Sequence, residues 1–174
     1  MKTRMTPQPH HSIPAQTPPA NCFTVLVIDD LLPNRVLLGK VLKNAGYGVI
    51  EAASGTEALE LLRDQRLSPD LVVTDIEMPG LDGIALVDQL RRLDLPVARV
   101  PVIAASGNAD ETMRCEALAA GCDAFLTKPF DLAVLRREIA SLIRTRLQAS
   151  ATRGTTPVER TVPNRVALRL REAG

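Results

Sequence analysis

Four apolar runs of this sequence end on side chains that could do chemistry together. Asp29 and Asp30 follow residues 23–28, "FTVLVI"; Asp75 follows "DLVVT"; Ser106 closes "RVPVIAAS"; Lys128 follows "DAFLT". Asp75 is the most demanding of these, because it sets a charge behind β-branched residues and ahead of a Met-Pro-Gly break, with no cation beside it in sequence. Three carboxylates brought within about 4 to 5 Å repel by about 3 to 4 kcal/mol per pair at an effective dielectric of about 20. Such a cluster persists only if it holds a cation, and hard oxygen ligands on loops, with positions left for water, suit Mg²⁺ better than zinc. Ser106 and Lys128 add a hydroxyl donor and a point charge, which suit the equatorial oxygens of a phosphoryl group. The set fits phosphoryl transfer onto a carboxylate, with Asp75 as the acceptor. Taken singly, an acid pair after a strand also suits a helix cap, and a Lys-Pro turn has many uses; the weight lies in their joint placement.

That placement requires five strands whose carboxyl ends share one rim. Residues 23–28, "YGVIEA", "DLVVT", "RVPVIAAS" and "DAFLT" supply short apolar runs, and the segments between them have helical spacing. In the first of these, Leu37, Leu38, Val41, Leu42 and Ala45 follow the i, i+3, i+4 pattern and Gly46 closes it. The second opens on a capping box, Ser54 with Glu57, and turns Ala58, Leu61 and Leu62 inward. The last carries Leu132, Leu135, Ile139, Leu142 and Ile143 as one stripe behind Asp131 as N-cap. Five βα units predict an α/β fold with an open, doubly wound parallel sheet between helices, whose working crevice lies outside the carboxyl ends of the strands.

Composition sets the bounds. The chain has 174 residues, 45% hydrophobic and 24% charged, which suits one domain with an aliphatic core, since aromatics are only 2%. Residues 23–146 hold 14 Lys/Arg against 18 Asp/Glu, so the folded part is acidic between basic flanks. With no Trp and one Tyr it lacks the basic, aromatic face of a nucleic-acid binder, and no direct DNA binding is expected. Cys22, Cys115 and Cys122 form no metal-binding spacing. Residues 1–21, with five prolines in the first 20 and the pair His10 and His11, read as a disordered extension. Residues 22–146 form the domain, and residues 147–174 read as a basic, flexible tail in which 164–174 could be a short helix or an alternating strand. Without a signal peptide or an 18-residue apolar run, the expected location is the cytoplasm, with no membrane partner.

The motifs "VLVIDD", "VVTDIEMPGLDG", "VIAASG" and "FLTKPF" occur in the order and spacing of one family: residues 23–146 resemble a response-regulator receiver domain, CheY-like, in the flavodoxin-like (βα)5 fold. The resemblance implies a sheet of order 2-1-3-4-5 and a cis bond before Pro129. It implies Asp75 as phosphoacceptor, with Asp30 and Asp75 binding Mg²⁺ directly, Asp29 mostly through water, and the backbone carbonyl of Glu77 completing the protein ligands. Ser106 is then the switch hydroxyl, Lys128 the phosphate-binding lysine and Phe125 the switch aromatic, while Glu77 and Asn108 flank the hydrolytic water and tune the lifetime of the acyl phosphate. "DDLLPNR", with Asn34, resembles receivers of hybrid kinases and phosphorelays, which implies a histidine kinase or a histidine phosphotransfer protein as donor.

The resulting expectation is a signalling switch that catalyses its own phosphorylation and dephosphorylation slowly, and not a conventional enzyme. No effector domain is expected after Arg146. Output is therefore expected through a partner at a surface of the fourth helix, fifth strand and fifth helix, through a phosphorylation-dependent dimer, or through the tail. A haloacid-dehalogenase phosphatase would carry D-x-D-x-[TV] where this chain has Asp75-Ile76-Glu77-Met78-Pro79, and a Rossmann module would need a Gly-rich first turn. The rival that keeps all the residues is a pseudo-receiver, an interaction module whose output ignores phosphorylation.

Overall fold

The computed structural model describes residues 23–64, 67–108 and 110–152; the Pro-rich extension, His10, His11, Cys22 and the segment from 153 onward lie outside the described residues. Strands and helices alternate: β1 (Thr24–Ile28), α1 (Leu32–Asn44), β2 (Gly48–Ala52), α2 (Gly55–Arg63), β3 (Leu71–Asp75), α3 (Gly83–Arg91), β4 (Val102–Ser106), α4 (Glu111–Ala120), β5 (Ala124–Thr127) and α5 (Leu132–Thr152), with a 3-10 turn over Pro96–Arg99 before β4. All neighbouring strands pair in parallel, in the order β2-β1-β3-β4-β5. The register sets Ile28 beside Thr74, Asp75 beside Ala105 and Ser106 beside Thr127, so the polar ends of the strands fall on one rim.

Strands β3 and β4 are buried along their whole length, which is why their sequences run apolar without alternation. Their side chains divide between two aliphatic cores. One face packs Leu26, Ile28, Val72, Val102 and Ala104 against α2, α3 and α4; the other packs Val25, Val27, Val73 and Ile103 against Leu38, Leu42, Leu135, Ile139 and Ile143 of α1 and α5. Leu135, Ile139 and Ile143 are the innermost part of the predicted stripe, and Asp131 Oδ1 caps the helix by accepting the N–H of Ala133 at 2.7 Å. At α2, Ser54 accepts the N–H of Glu57 at 3.1 Å, while the Glu57 carboxylate reaches one residue further back, to the N–H of Ala53 at 2.7 Å. Leu59 is buried there beside Ala58 and Leu62, whereas Leu61 is only half-buried.

Helix α1 departs from its predicted stripe. Leu38 and Leu42 are buried one turn apart, but Leu37 is 56% exposed, because each helical step of about 100° carries a neighbour off the packed face. Leu31, Leu32 and Val36 are exposed with it, leaving an apolar patch on this helix. Helix α5 continues through Thr152, over the start of the segment read as a flexible tail from residue 147, because Leu147 and Ala149 are good helix formers. Below the site, Arg91 ties the structure together: its guanidinium donates to the carbonyls of Ala98, Val100 and Gly121 and pairs with Asp123. Cys115 is exposed; burial pushes the Cys122 thiol up to about 11, which keeps it protonated and inert.

Candidate functional site

Asp29, Asp30 and Asp75 each present a carboxylate oxygen within 4.8 Å of the others. They meet because β1 and β3 are adjacent and in parallel register, so Asp29 and Asp30, just past β1, emerge beside Asp75 at the end of β3. Asp29 and Asp75 are almost fully buried, at 1% and 5% exposure. Lys128, entering from β5 through a cis bond to Pro129, sets its ammonium 2.7 Å from Asp75 Oδ2 and 3.0 Å from Asp29 Oδ2. One positive charge thus faces three carboxylates, and the balance is left for a cation.

Asp29 is held by more than Lys128. Its carboxylate accepts the N–H of Leu31 at 2.9 Å and the side-chain amide of Asn34 at 3.1 and 3.2 Å, and Arg35 donates to its carbonyl at 2.7 Å. Asp29 does not cap α1, whose N-cap Leu31 has no side-chain cap bond, but it braces the entry to the helix. Asp30 is different. Among the described residues its Oδ1 is the buried side-chain polar atom without a hydrogen-bond partner. A desolvated carboxylate oxygen left unpaired costs free energy that a bound cation would recover.

Electrostatics follow the same geometry. Burial raises the pKa of Asp75; the bond and charge of Lys128 oppose this, and the charges of Asp29 and Glu77 reinforce it, leaving the carboxyl above its ordinary value. Burial alone would lower Lys128, but its bonds to Asp75 and Asp29 outweigh burial and raise it, so the ammonium stays charged. For Glu77, burial is outweighed by hydrogen bonds from Ser106 and Gly107, and its carboxyl lies below the usual range.

Ser106 is fully buried, and its hydroxyl donates to Glu77 Oε1 at 2.6 Å, while Glu77 Oε2 accepts the N–H of Gly107 at 3.1 Å. Ser106 Oγ in turn accepts the N–H of Asn108 at 2.9 Å and touches Met113 Sδ at 3.1 Å. The side chain of Asn108 accepts the N–H of Asp110, the N-cap of α4, at 3.1 Å. Glu77 meets the acid cluster through its backbone, whose N–H lies 3.3 Å from Asp75 Oδ1. Phe125, beside Ala104 in the sheet, is half-buried against the core under α2, α3 and α4. The rim thus unites Asp29, Asp30, Asp75 and Lys128, and ties Ser106, Glu77 and Asn108 into a second group beside it. Sequence reasoning missed the brace from Asn34 to Asp29 and the contact of Met113 with Ser106. The first could have been found from the position of Asn34, one turn into the helix behind Asp29; the second had no local signal.

Comparison with known proteins places these observations in a family. The sequence matches the family model of the response regulator receiver domain over residues 25–140. It is 37% identical over 147 residues to the transcriptional regulatory protein PrrA of Mycobacterium tuberculosis, covering 82% of this chain but 61% of that protein's length. It is 35% identical over 112 residues to sporulation initiation phosphotransferase F of Bacillus subtilis, covering 64% of this chain and 86% of that protein. Among solved structures, the receiver domain of a sensor histidine kinase from Pseudomonas aeruginosa, with a magnesium ion coordinated in its active-site cleft, superposes with a TM-score of 0.64 at 31% identity, covering 70% of this chain and 98% of that one. Relatives include both transcriptional regulators and a phosphotransferase.

Proposed function

Since this chain belongs to the response-regulator receiver family, as its match over residues 25–140 shows, we propose that it is a phosphorylation switch in which Asp75 accepts a phosphoryl group from a phosphohistidine. The observation that carries this is the orphaned Asp30 oxygen beside Asp29 and Asp75, in a cluster that Lys128 alone does not neutralise. The donor set fits Mg²⁺, which Asp30, Asp75 and the Glu77 backbone carbonyl would hold directly and Asp29 mostly through water. When bound, the ion would supply charge that neutralises the incoming phosphoryl oxygens.

In the transfer an Asp75 oxygen forms its bond to phosphorus as the phosphorus–nitrogen bond breaks, and the imidazole leaves with its electron pair. Lys128 moves from pairing two carboxylates to pairing Asp75 and a phosphoryl oxygen. Ser106 must leave Glu77 to reach another of those oxygens. Phe125 then fills the space vacated, and the surface of α4, β5 and α5 changes for a downstream partner or a second copy. A preference of a few kcal/mol is enough to move such a balance. Hydrolysis of the acyl phosphate is slow and self-catalysed, with Glu77 and Asn108 flanking the path of water.

The hydrogen bond from Ser106 to Glu77 gives the tuning a direction. Glu77 opposes switching twice, by occupying the switch hydroxyl and by adding negative charge beside the acceptor. Glu77→Ala is expected to speed acceptance from a small acyl-phosphate donor roughly fivefold, equivalent to about 1 kcal/mol. Stopped-flow measurement of initial rates checks this, and an unchanged or slower rate refutes it.

The donor is read as a hybrid histidine kinase or a histidine phosphotransfer protein docking on α1, in the cytoplasm. The exposed Leu31, Leu32, Val36 and Leu37 support an apolar docking face beside the rim. Leu32→Asp with Val36→Asp should cut transfer from a phosphohistidine protein at least about tenfold and leave transfer from a small acyl phosphate unchanged. The switch itself is tested with beryllofluoride and Mg²⁺: NMR shifts at Ser106, Phe125 and α4 support it, and an unaltered spectrum favours the pseudo-receiver.

A further inference from the structure

An open groove of about 760 Å³ runs between α3 and α4, starting from the loop that follows Asp75. Its apolar wall is formed by Ile76, Met78, Ile84 and Met113, and four carboxylates, Glu77, Asp82, Asp88 and Glu116, stand around it, with no lysine or arginine among the lining residues. Asp88 has one mostly exposed partner, Arg92, which screens it only weakly. A long apolar trough with an acidic rim calls for an occupant with the opposite pattern, apolar side chains among cations.

The chain itself carries one. Residues 164–171, "NRVALRLR", alternate Val166, Leu168 and Leu170 with Arg165, Arg169 and Arg171. From Thr152, the last described residue, residues 153–163 can span up to about 36 Å at about 3.3 Å per residue. That is about the diameter of a domain whose radius of gyration is about 14 Å, so the segment reaches across it only when nearly fully extended. Helix α5 packs on the face opposite the groove and leaves the sheet at the entry of β3, where Arg146 donates to the carbonyl of Asp70 at 2.9 Å, so the connecting residues must pass beneath the sheet. Tethering makes the contact intramolecular, with an effective concentration set by how closely the linker's length matches the span. The apolar patch on α1 is a poorer destination for this segment, because Arg35, Lys40 and Lys43 share that helix and repel it.

We propose that residues 164–171 dock in the groove between α3 and α4 of their own chain, with Val166, Leu168 and Leu170 toward Ile84 and Met113 and the arginines along the carboxylate rim. The contact needs neither metal nor phosphoryl donor, so it stands apart from the phosphoacceptor reading.

Methyl NMR of the full chain, labelled at Met and Ile and recorded without metal, tests it. Leu168→Asp with Leu170→Asp should shift Met78, Met113 and Ile84 beyond their linewidths and leave Ile139 and Ile143, on the opposite face, in place. Asp88→Arg with Glu116→Arg should release the segment, and adding Arg169→Glu with Arg171→Glu should restore the starting positions of the groove methyls. Groove methyls that ignore the tail variant, or move by the same amount as Ile139 and Ile143, overturn the proposal. Shifts that fade on dilution overturn it too, by assigning the groove to a second copy.

Discussion

Gly83→Ala is expected to destabilise the fold by about 3 kcal/mol and to lower its melting temperature by roughly 10 °C. A Cβ on Gly83 would run into the carbonyl oxygen of Asp75 and lie 2.9 Å from the Cα of Ile76. Both obstacles are backbone, so no side chain can swing aside. The clash also falls on the peptide that carries Asp75, the proposed acceptor, and Gly83 closes the loop by donating its N–H to the carbonyl of Ile76 at 3.1 Å. The substitution should therefore weaken divalent-metal affinity as well as stability. Gly107→Ala is the control, since its Cβ would meet nothing within 4 Å and should cost little. Thermal melts of the two variants separate close approach at Gly83 from a general intolerance of alanine; equal melting temperatures would contradict the packing described.

Lys128→Met is expected to slow phosphoryl acceptance by at least about 100-fold, about 3 kcal/mol of lost charge stabilisation. It should also cost roughly 2 to 3 kcal/mol of stability without metal, because two buried carboxylates lose their cation. The two effects respond differently to Mg²⁺. Added metal should compensate the carboxylates and recover most of the stability, whereas it would not replace the point charge that Lys128 is proposed to bring to the phosphoryl group. The pH dependence has a definite sign. With its pKa raised, Asp75 favours the metal-free fold when protonated; that contribution is complete below the ordinary carboxylate range and is lost as pH rises through the raised value. Removing Lys128 deletes an interaction that lowers this pKa and carries the loss to higher pH. A melting temperature indifferent to Mg²⁺ in the variant would argue against metal in the acid cluster.

Much of this arrangement was legible because it depends on local pattern. The runs before Asp29, Asp75, Ser106 and Lys128 end where the strands end, and parallel pairing then brings those ends together with no further information. Side-chain direction on α1 was not legible in the same way. Leu37 and Leu38 are equally apolar, and only the packing of the sheet decides that one is buried and the other exposed. The pairing of Glu77 with Ser106 was hidden for a related reason: the two residues are 29 positions apart, and the β3–α3 loop must fold back over β4 before they meet. Asn34 was noticed as a family cue, yet its bonds to Asp29 appear only once α1 is set behind the first strand. Local spacing was enough to single out Asp75 and its neighbours at the rim, and tertiary packing showed what restrains them.

Intact-mass and peptide mass spectrometry of the full chain after incubation with a phosphohistidine donor, with and without Mg²⁺, test the central claim most directly. The account predicts one adduct of about 80 Da, mapped to Asp75, dependent on Mg²⁺ and abolished by Asp75→Asn. An adduct that forms in the presence of chelator, maps to another residue or survives Asp75→Asn would contradict it.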